Sequence, residues 1–233
     1  QYIYSIKEEE NNYTKFDKIF FVSSKDISNE KNMHSKISDR FYLCNIGIDI
    51  NEVLKAPELK LKGKSLVFTG VMDYEPNEDA MVYFIQEVFD KVAEKCPEVT
   101  LYIVGKNPTD KLKKLVINRK NIIVTGKVDS VFSYIKSSTI YISPLRIGSG
   151  KKNKIIEAIS CGTPLIASTV SMEGFEDIED KNLILRADSS NEWVENICKL
   201  LSDEEKRIDI KKRMFNLLDE SYSWKNIAKK LVE

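Results

Sequence analysis

Four short runs of apolar, largely β-branched residues each stop at a glycine or a glycine loop, and each is followed by a helical pattern. They are residues 66–69 before Gly70, 100–104 before Gly105, 122–125 before Gly126, and 139–143 before Gly148 and Gly150. Strand–helix units of this length predict parallel strands joined by right-handed crossovers, an α/β doubly wound (Rossmann-like) sheet. Such sheets bind ligands beyond the carboxyl ends of their strands. All of these glycines fall at that edge, so one site is expected there.

The helices between the strands carry their own signals. After Gly70, Met81, Phe84, Ile85, Val88, Phe89 and Val92 recur at helical spacing, with Asn77 as the expected N-cap and Pro97 just past the end. Residues 110–118 and 130–136 supply two shorter helices. Residues 164–168 and 182–186 read as further strands, and amphipathic helices are expected at 191–201, 203–218 and 223–232. Ahead of this block, 18–23 and 40–45 read as two strands, and 55–64, with Pro57 and Gly63, as a linker.

Composition excludes several functions. Thirty-six basic and 36 acidic residues cancel, which speaks against a general nucleic-acid binder. One histidine (His34) and four scattered cysteines argue against a zinc site and suit reduced thiols in a cytoplasmic protein. No apolar run has the length of a membrane span. His34, in a polar region, is expected at the surface. The lysines between 111 and 120 read as a solvated helix face, with peripheral contact to anionic lipid at the inner membrane face as the alternative.

The segment 143–162 concentrates the chemistry. A Gly148-Ser149-Gly150 loop opens onto a short helix with Lys151, Lys152 and Lys154 in its first turns and Glu157 beyond. Glycines allow close backbone approach, free helix N–H groups point at an anion, and lysines add charge; together they suit a diphosphate. Ile155, Ile156 and Ile159 turn one side of the helix to the sheet, leaving Asn153 and Glu157 opposite with Lys154 beside them. On an ordinary helix Lys154 and Glu157 would be an exposed pair contributing well under ~1 kcal/mol. The glycine loop and edge position favour a ligand role instead. Arg146 is either a bidentate phosphate clamp or a surface arginine. Ser149 either donates to a phosphate or simply suits a turn, and Lys151 and Lys152 are expected to be solvated. Glu173, in a polar loop at the same edge, either meets sugar hydroxyls or caps the following turn.

The sequence resembles the donor-binding half of a retaining GT-B glycosyltransferase of family 4. The resemblance rests on Thr69-Gly70-Val71-Met72 with Pro76-Asn77-Glu78-Asp79-Ala80, Tyr102 to Pro108, Val124 to Val128, Pro144 to Gly150, Asn153 to Ala158 and Gly162 to Ser168. It covers about residues 65–176. Asn45-Ile46-Gly47-Ile48-Asp49 resembles the family's hinge, and Ser221-Tyr222-Ser223-Trp224 its returning terminal helix. The implied organisation is the tail of an acceptor domain and hinge at 1–58, a donor domain at 59–218 and a crossing helix at 219–233. Most of the acceptor-binding N-terminal domain would then be missing, and the fragment alone would be inactive.

The resemblance implies a nucleotide-diphosphate sugar as donor and an unidentified glycan or lipid-linked acceptor, with no metal, since no Asp-x-Asp pair is present. Arg146 and Lys154 would contact the diphosphate, Glu157 the ribose, and Gly126, Lys127 and Val128 the base. Gly70, Asn77, Gly105, Gly148, Ser149, Gly150, Lys151, Asn153 and Glu173 complete the expected donor site. Ser149 stands where many members carry a sugar-contacting glutamate, and Met72 to Asn77 replace an Arg…Lys pair. The alternatives are a nucleotide-sugar 2-epimerase, disfavoured by the scarcity of histidine, and a non-catalytic donor-domain scaffold, favoured by Ser149.

Overall fold

The computed structural model describes residues 2–175, 178, 183–218 and 222–232. Helix α1 (Tyr2–Tyr13) precedes β1 (Ile19–Phe21), α2 (Ser24–Met33) and β2 (Phe41–Leu43); β1 and β2 pair in parallel as a small separate sheet. Ser23 caps α2 by accepting the Asp26 N–H at 3.1 Å. Helix α3 (Ile50–Lys55), capped by Asp49, leads into the main sheet.

That sheet contains β3 (Lys64–Thr69), β4 (Val99–Val104), β5 (Ile122–Gly126), β6 (Ile140–Ser143), β7 (Leu165–Ala167) and β8 (Ile184–Arg186). All pairs are parallel, in the spatial order β5-β4-β3-β6-β7-β8. Strand β4 is buried at every position, as expected of a parallel strand covered on both faces. The chain moves outward from β3 through β4 to β5, then returns to β6 and moves outward the other way. Between β3 and β6 the winding reverses, and a crevice opens at the carboxyl end of such a switch point.

Helix α4 (Glu75–Tyr83) follows β3 and continues through a π-helical stretch (Phe84–Phe89) into α5 (Asp90–Lys95). Phe84 meets Trp193 of the helix Ser190–Ser202 edge-on, at 5.7 Å between ring centres. Helices α6 (Asp110–Val116) and α7 (Val131–Ser137) follow β4 and β5, and α8 (Asn153–Ser160) joins β6 to β7. The helix Glu204–Leu217 packs on α8, and the helix Trp224–Val232 comes back against Gly47 and Ile48. There the Ile48 N–H donates to the Tyr222 carbonyl at 3.1 Å, and a Cβ on Gly47 would lie 2.6 Å from the Trp224 ring. Asn182 and Ser221, included in the expected strand and terminal motif, lie outside the described residues.

Three expectations are corrected. Asn77 is not the N-cap: the helix starts at Glu75, with Pro76 in its first turn, where a missing N–H costs nothing, so Asn77 lies inside the helix and is buried. His34 is not a surface residue. It is 1% exposed, covered edge-on by Tyr13 of α1 at 5.3 Å, with carboxylate oxygens of Glu9 and Glu30 at 3.7 and 3.6 Å from Nε2. Lys151 and Lys152 are not simply solvated. The Lys151 ammonium lies 4.6 Å from the Phe175 ring centre and bonds Asn45 Oδ1 at 3.1 Å, and the Lys152 side chain is only 9% exposed. For His34 and Lys151 the miss has one cause: a covering ring comes from another element.

Candidate functional site

A cavity of about 630 Å³ lies where the sheet switches direction. Its floor is the end of β3 and β4. Gly70 and Gly105 interlock there: the Gly70 N–H donates to Val104 O, the Gly105 N–H donates to Gly126 O, and a Cβ on Gly105 would sit 1.8 Å from the Gly70 carbonyl oxygen. Only glycine permits that approach, which is also made at φ +145°. Gly126 holds this edge by hydrogen bonding without lining the cavity. The two residues after it, Lys127 and Val128, form a side wall where the base was expected.

The opposite wall is the loop after β6. Gly148 has φ +118° and Gly150 φ +73°, yet a Cβ on Gly150 would meet nothing within 4 Å and one on Gly148 only the edge of Pro76. Packing does not demand these glycines. Open backbone at the mouth of a cavity does suit approach by a ligand. Gly148 and Ser149 line the cavity, while the Gly150 N–H turns away to donate to Glu173 Oε2 at 3.1 Å. Lys151, Lys152 and Asn153 continue the wall into α8, whose first turn carries no side-chain cap.

Lys154 and Glu157 close the site from α8. The Lys154 ammonium lies 4.1 Å from the Phe68 ring centre and donates to Asn77 Oδ1 at 2.7 Å; Asn77 in turn donates from Nδ2 to Val71 O at 2.9 Å. Asn77 thus fixes the ammonium over an aromatic face. Its neutral amide is the hydrogen-bond partner of Lys154 among the described residues. Burial depresses the Lys154 pKa to about 7, against an upward pull from Glu157 and a further downward push from Lys152. Burial raises the Glu157 carboxyl above the usual carboxylate range, with Lys154 opposing. Beneath them the Tyr141 and Thr69 hydroxyls share a 2.6 Å hydrogen bond; burial, then the Glu157 charge, pushes the Tyr141 pKa far up.

The cavity therefore gathers most of the residues expected from the sequence. Arg146, Gly126, Gly150 and Glu173 do not line it. The Arg146 guanidinium is held by both carboxylate oxygens of Asp79, with Nε at 2.9 Å, and lies 4.8 Å from the Tyr83 ring centre. It ties the loop after β6 to α4. Glu173 accepts from Lys25 at 2.6 Å and from Gly150. Two participants escaped sequence reasoning. Phe68, one residue of the apolar run 66–69, is buried in the core, and its ring also seats the Lys154 ammonium. Lys152, expected to be solvated, lines the cavity with a side chain only 9% exposed.

Comparison with known proteins identifies the family and the fold. A family model described as glycosyl transferases group 1 matches residues 63–203. An uncharacterized glycosyltransferase of Methanocaldococcus jannaschii is 32% identical over 140 residues, covering 57% of this chain and 35% of that protein. The phosphatidyl-myo-inositol mannosyltransferase of Mycobacterium tuberculosis is 27% identical over 156 residues, 63% of this chain and 39% of its own length. The chain thus spans well under half of these curated relatives. Among solved structures, Anabaena HepE in complex with UDP and glucose superposes with TM-score 0.70 at 13% identity, covering 97% of this chain and 65% of that one. The shared fold is that of GT-B glycosyltransferases.

Proposed function

We infer the activity from one premise: this chain belongs to the glycosyl transferases group 1 family. Its cavity is the donor site of a glycosyltransferase that moves a sugar, with retention, from a nucleoside diphosphate to a glycan or lipid-linked acceptor. The family match and the named relatives favour transfer over the epimerase alternative. HepE, whose structure holds UDP and glucose, supports a nucleotide sugar as donor.

The observation that carries this reading is Lys154. A buried ammonium resting on Phe68 and a neutral amide, aimed into a cavity beside an uncapped helix start, suits an anionic ligand. As the sugar leaves, negative charge grows on the diphosphate. The ammonium and the first N–H groups of α8 are already in place to stabilise it, so little reorganisation is needed at the moment of reaction. These groups let the reaction proceed without a metal. Glu157, on the same helix face, takes the ribose hydroxyls. Arg146, engaged by Asp79 and Tyr83, holds the phosphate loop in position.

Calorimetric titration with UDP, GDP and ADP tests the donor site. At least one should bind, and Lys154→Ala and Glu157→Ala should each weaken it by about tenfold or more, the loss expected for a charge-assisted contact. Wild-type protein that binds none of the three would remove the claim.

A further inference from the structure

A second cavity, of about 360 Å³, adjoins the Gly148–Gly150 loop. Gly148 lines both cavities. Lys25, Thr169, Glu173 and Arg186 supply the polar wall of the smaller one. A carboxylate, two cations and a hydroxyl around one small chamber match a ligand dense in hydroxyl groups, since each charged group makes a strong hydrogen bond to an OH.

We propose that Glu173 is the carboxylate that recognises the hydroxyls of the donor sugar, which enters this second chamber across Gly148. The proposal rests on the donor-site reading and deepens it. In that reading the diphosphate lies along the Gly148–Gly150 loop, and the sugar is bonded directly to its outer phosphate. The sugar must therefore lie next to the loop, and the smaller chamber adjoins the loop at Gly148. Within the loop itself the side chain available is Ser149, which carries no charge. The carboxylate arrives from the loop after β7.

Glu173 is held ready for that task. Oε1 accepts from the Lys25 ammonium at 2.6 Å, and Oε2 accepts from the Gly150 N–H at 3.1 Å, with the Lys152 ammonium 3.5 Å away. The hydrogen bond from Lys25 keeps the carboxyl below the usual carboxylate range, so it stays ionised. A carboxylate has about four acceptor positions, so two such bonds leave room for sugar hydroxyls. The Gly150 contact also ties the group to the phosphate loop, so diphosphate and sugar would be bound by one connected unit.

The test compares each nucleoside diphosphate with its sugar derivative by calorimetry: UDP with UDP-glucose and UDP-N-acetylglucosamine, GDP with GDP-mannose, ADP with ADP-glucose. In the wild type one sugar derivative should bind more tightly than its parent diphosphate. Glu173→Gln keeps an oxygen for the Gly150 N–H but loses the charge. It should lower affinity for that derivative by about tenfold while changing diphosphate affinity less than about twofold. Lys25→Met removes one cation of the chamber and the ion pair but leaves the carboxylate, and should lower affinity for that derivative by clearly less than Glu173→Gln does. No sugar preference in the wild type, a preference surviving Glu173→Gln, or an equal loss in Lys25→Met would each overturn the proposal. Failure of the donor site itself is read separately, as no diphosphate binding in the wild type.

Discussion

Donor affinity should fall steeply as pH rises above 7, through Lys154. In the empty site its pKa is about 7, because burial opposes the charge. A bound diphosphate brings opposite charge to the ammonium and should restore a value near the ordinary one of about 10.4. The sign follows: above pH 7 the empty site holds a neutral amine and the complex an ammonium, so binding takes up a proton. By linkage, affinity is nearly flat below pH 7 and declines about tenfold per pH unit above it. Between pH 7 and 9 the expected loss is about fiftyfold, or roughly 2 kcal/mol. Calorimetry near pH 8, repeated in buffers of different ionisation enthalpy, should show uptake of about 0.9 proton. A sugar nucleotide is the right probe, because its diphosphate, unlike that of UDP, does not titrate here. Lys154→Arg stays charged throughout and supplies the baseline, including any titration of the base. The charges that act on Lys154 are Glu157 and Lys152, both on or beside α8, and Lys106, Lys127 and Lys151 line the same cavity. Parallel pH profiles for the wild type and Lys154→Arg would refute the assignment of this ammonium to the diphosphate.

Two further outcomes follow from the same geometry. Gly105→Ala should destabilise the fold by more than about 2 kcal/mol, several degrees in Tm, because its Cβ would fall 1.8 Å from the Gly70 carbonyl oxygen; a thermal melt at the wild-type temperature would contradict the interlock. In nucleotide titrations, Arg146→Ala and Asp79→Ala should each weaken binding, and the double variant should be no weaker than the worse single one. Losses that add within about 0.5 kcal/mol would put the guanidinium on the diphosphate rather than on the loop.

The legible and illegible parts of the chain divide on sequence distance. The sheet could be read because each strand announces itself locally: an apolar run, then a glycine, then a helical period. The amphipathic face of α8 was legible for the same reason, since Ile155, Ile156 and Ile159 fix which side faces the sheet and therefore where Lys154 and Glu157 must lie. The residues misjudged are those whose environment is supplied from far away. Asn77 looked like a cap because its neighbours suit one, but its amide serves Lys154, 77 residues on. Lys151 looked solvated because its neighbours are polar, yet its ammonium lies over the rings of Phe175 and Tyr222. His34 is buried by a ring from α1. Local pattern reports backbone geometry and burial, which repeat along the chain. A binding site is made where loops from separate strands converge, and its polar groups satisfy one another across the switch point. Asn77 and Lys151 break local expectation for that reason: each is placed by a partner on another element.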